Sequence, residues 1–329
     1  MGNYTQKNQK ERFFAVVVFG AIFIVVLALS RTLFVPQVGT TIEMSGTVEV
    51  VATVHFGEQE LFHKQVSIDS PTNAMQVLYR TAVVETSYGG GFVTGINNIS
   101  STFSHSEETP EDWFYYVNGV LSPVGAVQYT VVPGDVIRWD FHSWSDTRSV
   151  TAVIADFPKP FLQGFQGKKI PTTIVYEAGF EQQASQIQTL LGQYGVHAAC
   201  VRTDQISSDV QAAQNLILLG TYASHPLIQE INNHTERLGI FVEWDGCFLQ
   251  IFDACGNQKL QYESGGVIAA MQNFWNPKGS LHGENVVWIV AGVSFDDVEH
   301  AVQILMQQPL LVKNCASVVV RGNSVIRVP

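Results

Sequence analysis

Two runs, "NLILLGT" from Asn215 and "NVVWIVAGV" from Asn285, are apolar at nearly every position. A strand with one face in water alternates apolar and polar residues, so a strand apolar throughout has both faces covered. The two runs therefore predict strands buried inside a sheet that is covered on both sides. Their surroundings agree. "TTIVYEAG", "VHAACVRT", "CASVVVRG" and "SVIRVP" read as further strands, and "IFVEWDGCFLQIFD" with "QKLQYE" as a hairpin turning at "ACGN". "FEQQASQIQTLLGQYG" places Ala184, Ile187, Leu190 and Leu191 at helical spacing and ends at Gly195. "HPLIQEINNHTERLG" closes at Gly239, and "SFDDVEHAVQILMQQ" carries Ser294 and Asp297 in capping-box positions. Residues 172–329 are expected to form an α/β domain with a mostly parallel sheet.

The pattern before residue 172 differs. "VEVVATVHFGEQELFHKQVSID" predicts two strands turning at "GEQ", and "SPTNAMQVLYRTA" a helix capped by Ser70 or Thr72. The stretch Asp112–Trp144 holds three of the six tryptophans, and its glycine turns "VNGV" and "VPGD" divide it into three expected strands, "DWFYYVNG", "AVQYTVV" and "DVIRWDF". "SVTAVIADF" is a candidate for one more. The order predicts an α+β unit over residues 45–156, with one helix on a mixed sheet. Residues 157–171, with their prolines, glycines and the pair Lys168–Lys169, are expected to be a linker or surface connection.

On the first of the three strands Trp113, Tyr115 and Val117 share one face, and Phe114 and Tyr116 the other. One face must cover the helix. The other is expected to meet water or a ligand, and tyrosine and tryptophan suit a planar one. Trp113, Tyr115, Tyr116, Trp139, His142 and Trp144 are the candidate ligand-binding residues. The competing assignment for these rings is core packing.

At the N-terminus no side chain is charged from Phe13 to Leu29, and the apolar run extends across Arg31 to Val35, long enough to cross a bilayer as a helix. Lys7, Lys10 and Arg12 precede it. These features predict a cytoplasmic tail (1–12), a transmembrane anchor (13–35) and the bulk of the chain outside. A leader cleaved near Ala28-Leu29-Ser30 is the alternative. The four cysteines, Cys200, Cys247, Cys255 and Cys315, permit two disulfides in three connectivities, with buried thiols as the other assignment.

The chain has a net charge of −11 and only 14% charged residues, without a long basic run, which argues against nucleic acid as a partner. Nucleophile-elbow, phosphate-loop and zinc-protease motifs are missing, the histidines are scattered, and no metal site is predicted. The adjacent pairs Glu107-Glu108, Glu111-Asp112 and Asp296-Asp297 read as solvated or helix-start charges. Gly220, Thr221, Ser224, Gly292 and Ser294 lie at expected strand ends, where α/β sheets bind ligands, and could surround an anion; simple turns and caps are the preferred assignment because the dinucleotide glycine pattern is missing.

The pattern W-x-Y-Y-V-N-G, then G-A-x-x-Y, then P-G-D-x-I-x-W-x-F resembles the domain of unknown function DUF4430, over roughly Val48 to Trp144. That family is similar to the C-terminal β-domain of transcobalamin and intrinsic factor. The resemblance implies a β-grasp-like fold and non-enzymatic binding of a small molecule, with a corrinoid as the best-known ligand. It carries over to Trp113, Tyr115, Asn118, Gly119, Gly125, Tyr129, Gly134, Asp135 and Trp139, mostly as fold-defining positions. "NLILLGTYASHPLIQEIN", "SGGVIAAMQNFWNP" and "VVWIVAGVSFDDVEHAVQIL" resemble an α/β domain of prokaryotic surface-layer and cell-wall-binding proteins, which implies a role in wall or surface assembly. The expected function is membrane-anchored, outward-facing capture of a small planar ligand such as a corrinoid for a membrane transporter, without catalysis or a resident cofactor. A surface-layer or adhesion component binding a protein, glycan or cell-wall component is the alternative.

Overall fold

The computed structural model describes residues 45–102, 110–146, 148–278, 284–307 and 309–329. The expected tail and anchor lie outside these residues. Among the described residues no helix is long and apolar enough to cross a membrane.

The chain is mixed α/β and rich in sheet. Its first part runs β1 (Gly46–Val54), β2 (Gln59–Ile68), α1 (Ala74–Tyr79), β3 (Val84–Ser87), β4 (Phe92–Ile96), β5 (Ile99–Ser100), β6 (Glu111–Val117), β7 (Val120–Leu121) and β8 (Val136–Ser143). A five-stranded sheet has the order β2-β1-β8-β6-β7, with β1 parallel to β8 and the other pairs antiparallel; β3, β4 and β5 form a small sheet of their own. The two-residue turn from β6 to β7 is Asn118-Gly119, both at positive φ, the conformation that a tight hairpin needs. Helix α1 starts on a capping box between Asn73 and Gln76, so Asn73 is the cap and not Ser70 or Thr72. It buries Ala74, Met75, Val77 and Leu78 against Val48, Val50, Ile137 and Trp139.

"AVQYTVV" is not a strand. It is a turn followed by irregular chain, with one bridge from Thr130 to Asn73. Its buried residues Ala126, Tyr129 and Val131 do not alternate, because Tyr129 turns inward to Asp135. "SVTAVIADF" likewise keeps a single bridge, Ala152 to Val120, and ends in a 3-10 turn at Ile154–Asp156.

The second part continues with α2 (Lys159–Leu162), β9 (Thr172–Tyr176), α3 (Glu181–Gln193), β10 (Ala198–Arg202), α4 (Ser208–Ala213), β11 (Asn215–Thr221), α5 (Pro226–Asn232) and α6 (Thr235–Leu238). It ends with β12 (Val242–Asp245), β13 (Phe248–Phe252), β14 (Gln258–Tyr262), β15 (Gly266–Gln272), β16 (Val286–Gly292), α7 (Phe295–Gln307), β17 (Ser317–Arg321) and β18 (Ser324–Val328). A seven-stranded sheet has the order β10-β9-β11-β16-β15-β17-β18. Strands β10, β9, β11 and β16 are mutually parallel, whereas β15, β17 and β18 pair antiparallel. The sheet is therefore mixed, not mostly parallel. The apolar runs β11 and β16 do lie inside it, buried on both faces.

Helices α3 and α7 cover one face through Ala184, Ile187, Leu191, Val298, Ala301 and Leu305. Fully burying one such large aliphatic side chain contributes about 1.5–3 kcal/mol. The other face receives α5, α6, the three-stranded sheet β12-β13-β14 and residues of the first part, Tyr116, Val150 and Val153. Residues 157–171 also turn rings inward: Phe157 and Phe161 lie 5.6 and 5.4 Å from the buried ring of Trp288, and Phe165 lies 5.0 Å from Tyr129. Hydrogen bonds stitch the two parts together, Gln272 Nε2 to the Leu121 carbonyl (2.9 Å) and the Ile154 amide to the Ala316 carbonyl (3.1 Å).

Candidate functional site

Around β6 and β8 the five-stranded sheet is covered on both faces. Trp113, Val117, Trp139 and Phe141 pack with α1, and on the opposite face Tyr116 packs with Val150, Trp244 and Met271 of the second core. The ligand face expected from strand alternation is covered by Val150 and by residues more than a hundred positions away, Trp244 and Met271. Among the described residues, what stays open is the end of the sheet, where β6 begins and β8 finishes.

There a groove of about 470 Å³ is lined by Phe92, Asp112, Trp113, Phe114, His142 and Trp144, together with Asp146, Arg148 and Ser149. Trp144 (38% exposed) and Phe92 (40%) form its rim, and Tyr88 (88%) stands edge-on to Phe92 at 6.4 Å. The Trp144 indole N–H donates to Asp112 Oδ2 at 2.7 Å, and the Ser101 hydroxyl donates to Oδ1. Asp112, read from the sequence as a solvated charge, is thus buried and pins the rim tryptophan. Arg148 donates to Asp146, to Glu243 Oε1 at 2.8 Å and to the Ile240 carbonyl at 3.2 Å, with its guanidinium 4.6 Å from the Phe252 ring centre.

His142 sits at the groove floor. Its ring lies between Phe56 (4.2 Å) and Phe114 (4.3 Å), and Nδ1 is 2.7 Å from Asp140 Oδ2. Asp140 also accepts the Thr53 hydroxyl (2.5 Å) and the amides of Phe56 (2.9 Å) and Gly57 (3.0 Å).

Of the six candidate residues, the structure brings Trp113, His142 and Trp144 to this groove. The other three are elsewhere. Tyr115 stacks on Trp139 at 4.9 Å and donates its hydroxyl to the Val124 carbonyl; burial pushes its phenol up to about 12. Trp139 is buried in the helix-side core, and its indole N–H has no hydrogen-bond partner among the described residues. Tyr116 is buried on the opposite face, its hydroxyl donating to the Val150 carbonyl at 3.1 Å. The sequence reading missed Phe92, Phe114 and the Asp146–Arg148 wall. Phe92 follows three consecutive glycines, a signal that marks a turn but not what it borders.

Among the described residues, the strand ends of the seven-stranded sheet hold no open anion site. Thr221 gives both its amide (2.7 Å) and its hydroxyl (2.9 Å) to Glu177 Oε2, and Ser294 gives both to Asp297 Oδ2. The chain's own carboxylates fill the places an anion would take. Beneath Thr221 the fully buried His225 accepts from the Ile228 amide and donates from Nε2 to the Val175 carbonyl at 3.2 Å. Burial holds its imidazole down at about 4, against an ordinary 6.5. Because the unfolded chain takes up this proton and the folded chain does not, stability falls as pH drops from about 6.5 to about 4. This group alone is expected to remove about 3 kcal/mol over that window. Urea titrations at pH 7, 5 and 4 should show the loss, and His225→Asn should flatten it; an unchanged slope in the variant would remove His225 as the cause.

All four cysteines are free, Cys200 half-buried, Cys315 buried, and Cys247 and Cys255 exposed on turns. Among the described residues no group of three histidine, cysteine or acidic side chains could hold a metal ion.

A family model described as a domain of unknown function, DUF4430, matches residues 72–143, which span α1 to β8 and carry the inner side of the groove. No curated protein matches. A solved structure from Ruminococcus gnavus ATCC 29149, provisionally described as metal binding, is similar at 20% identity over 31% of this chain and 98% of that one, with a TM-score of 0.23.

Proposed function

We propose that this chain captures a small ring-bearing ligand in the groove between Trp144 and His142, without catalysis. The observation that carries it is the groove itself: about 470 Å³, within the range of small-molecule sites, with exposed rings at the rim and both aromatic and polar side chains in its lining. The sheet order β2-β1-β8-β6, with β1 parallel to β8 and a helix on one face, is consistent with a β-grasp-type sheet, and the family match covers the helix, β6 and β8 of it. Among the described residues no serine, threonine or cysteine is hydrogen-bonded to His142, which favours binding over nucleophilic chemistry. The apolar run 13–35 supports reading the chain as an anchored, outward-facing receptor that hands its ligand to a transporter. A corrinoid, implied by the likeness to the transcobalamin domain, is the first ligand to test; the groove has room for one edge of its ring.

Titrating the full chain with cobalamin and cobinamide is expected to quench tryptophan fluorescence, and Trp144→Ala to weaken binding about tenfold, since one stacked aromatic is worth roughly 0.5–1.5 kcal/mol beyond its buried area. If neither corrinoid changes the protein fluorescence or its own visible spectrum, corrinoid capture is wrong. Sedimentation with purified cell-wall fragments would instead favour a surface-assembly role for residues 172–329.

A further inference from the structure

We propose that the groove selects a positively charged ring compound over a neutral or anionic one of the same shape. This rests on the groove being a ligand site. It adds a charge class that the family match and the solved neighbour do not supply.

Aromatic rings and carboxylates share the lining. Among the described residues it includes Phe92, Trp113, Phe114 and Trp144. Both indole N–H groups are engaged, that of Trp113 by the Ile99 carbonyl (3.0 Å) and that of Trp144 by Asp112 (2.7 Å). The indoles therefore meet a ligand through their π-systems and not through a donor. The face of an aromatic ring is the negative part of its quadrupole, and tryptophan attracts a cation most strongly.

The charges beside the rings have the same sign. Asp112 and Asp146 line the groove, and Asp140 and Glu243 bond directly to lining residues. Against these four carboxylates stand one guanidinium, Arg148, and one imidazole, His142. Each nitrogen of Arg148 is already engaged: Nη1 by Asp146 (3.1 Å), Nη2 by Glu243 (2.8 Å) and Nε by the Ile240 carbonyl (3.2 Å). Asp112 is held by neutral donors, the Trp144 N–H and the Ser101 hydroxyl, which leave its charge uncancelled. His142 does not alter the sign. It is paired with Asp140, so a protonated imidazole cancels that one carboxylate and a neutral imidazole cancels none. In either state the carboxylates of this set outnumber its cations.

A cleft lined by one sign of charge focuses its field on what enters. A cationic ring would meet negative potential and aromatic faces together, whereas an anion would be repelled by both. The chain's net charge of −11 attracts the same class of ligand from solution.

Benzamidine, benzamide and benzoate test this. They are single rings of nearly the same size, and at pH 7 they are cationic, neutral and anionic. Binding to the full chain is followed by tryptophan fluorescence. Benzamidine should bind about tenfold more tightly than benzamide, and benzoate more weakly than either. Added salt should weaken benzamidine and leave benzamide unchanged, because only the charged ligand is screened. Asp146→Asn removes one charge at nearly constant shape, and Trp144→Leu removes a ring but keeps the rim apolar. Each should narrow the preference for benzamidine. Equal affinities for benzamidine and benzamide in the unaltered protein, or tightest binding of benzoate, would overturn the charge selection and leave the groove standing as a ring-binding site. A preference that survives intact in both variants would also overturn it, since the selection would then lie elsewhere. Binding of none of the three would overturn the groove as a site for small rings, and the charge selection with it.

Discussion

Replacing Asp156 by alanine is expected to lower the unfolding free energy by about 3–5 kcal/mol, the usual cost of stranding one member of a buried ion pair. Its partner is Arg138 on β8. The guanidinium meets Asp156 Oδ1 through Nε (3.0 Å) and Nη2 (2.6 Å), and Nη1 donates to Asn314 Oδ1 at 3.0 Å. Both charged side chains are almost fully buried. Burial alone would pull Arg138 down, but the carboxylate beside it more than offsets this and holds the guanidinium above its ordinary range. Asn314 in turn donates to Glu60 Oε2 at 2.7 Å, and this bond is the main reason the Glu60 carboxyl lies below its ordinary value. The network therefore runs from β2 through β8 to the loop before β17, joining the two parts of the chain. Guanidinium titrations read by tryptophan fluorescence and by circular dichroism should show Asp156→Ala losing stability in both parts together. The double change Arg138→Met, Asp156→Leu should recover most of the loss, because it removes the stranded charge. A single-variant loss under about 1 kcal/mol would mean that water reaches the pair after all.

The same residues show what was legible in the sequence. Arg138, Asp140 and His142 alternate with Ile137, Trp139 and Phe141, so their common face was readable from period two alone. That this face is buried was not readable, because what covers it comes from Asn314, Val150 and the second core. Likewise the apolar runs at β11 and β16 declared themselves, while β15, equally apolar between two turns, revealed neither its strand nor its antiparallel direction. Direction depends on how the chain returns, and local pattern carries no record of it. For the groove, Trp144 and His142 were visible as a ring and a polar group in one aromatic stretch. Phe92, Phe114 and the Arg148 wall join them only when three separate segments meet at the sheet end.

Asp135→Ala is expected to cost about 3–6 kcal/mol, and its site explains why "VNG", the tyrosine and "PGD" occur together in this chain. Asp135 is completely buried. Its carboxylate accepts the Asn118 side-chain amide (2.8 Å), the Tyr129 hydroxyl (3.0 Å) and the Val132 amide (2.8 Å). Asn118 also donates to the Gly164 carbonyl at 2.7 Å and accepts the Val136 amide at 2.9 Å, so one network holds the β6–β7 turn, the irregular segment and the start of β8. Alanine would leave three buried donors unpaired, at about 1–3 kcal/mol each before relaxation. Desolvation outweighs these bonds and raises the Asp135 carboxyl above its ordinary value. The folded chain therefore holds this proton more tightly than the unfolded chain, so the group's favourable contribution is full below the ordinary carboxylate range and is lost as pH rises through the raised value. His225 has the opposite sign, and the two groups compete in mild acid. Asp135→Asn, which keeps the shape but strands one donor, should cost less than alanine and steepen the loss of stability on acidification. Denaturant titrations of the two variants at pH 7 and pH 4 decide it: an alanine variant within about 1 kcal/mol of the unaltered chain would remove Asp135 as the centre that orders these three turns.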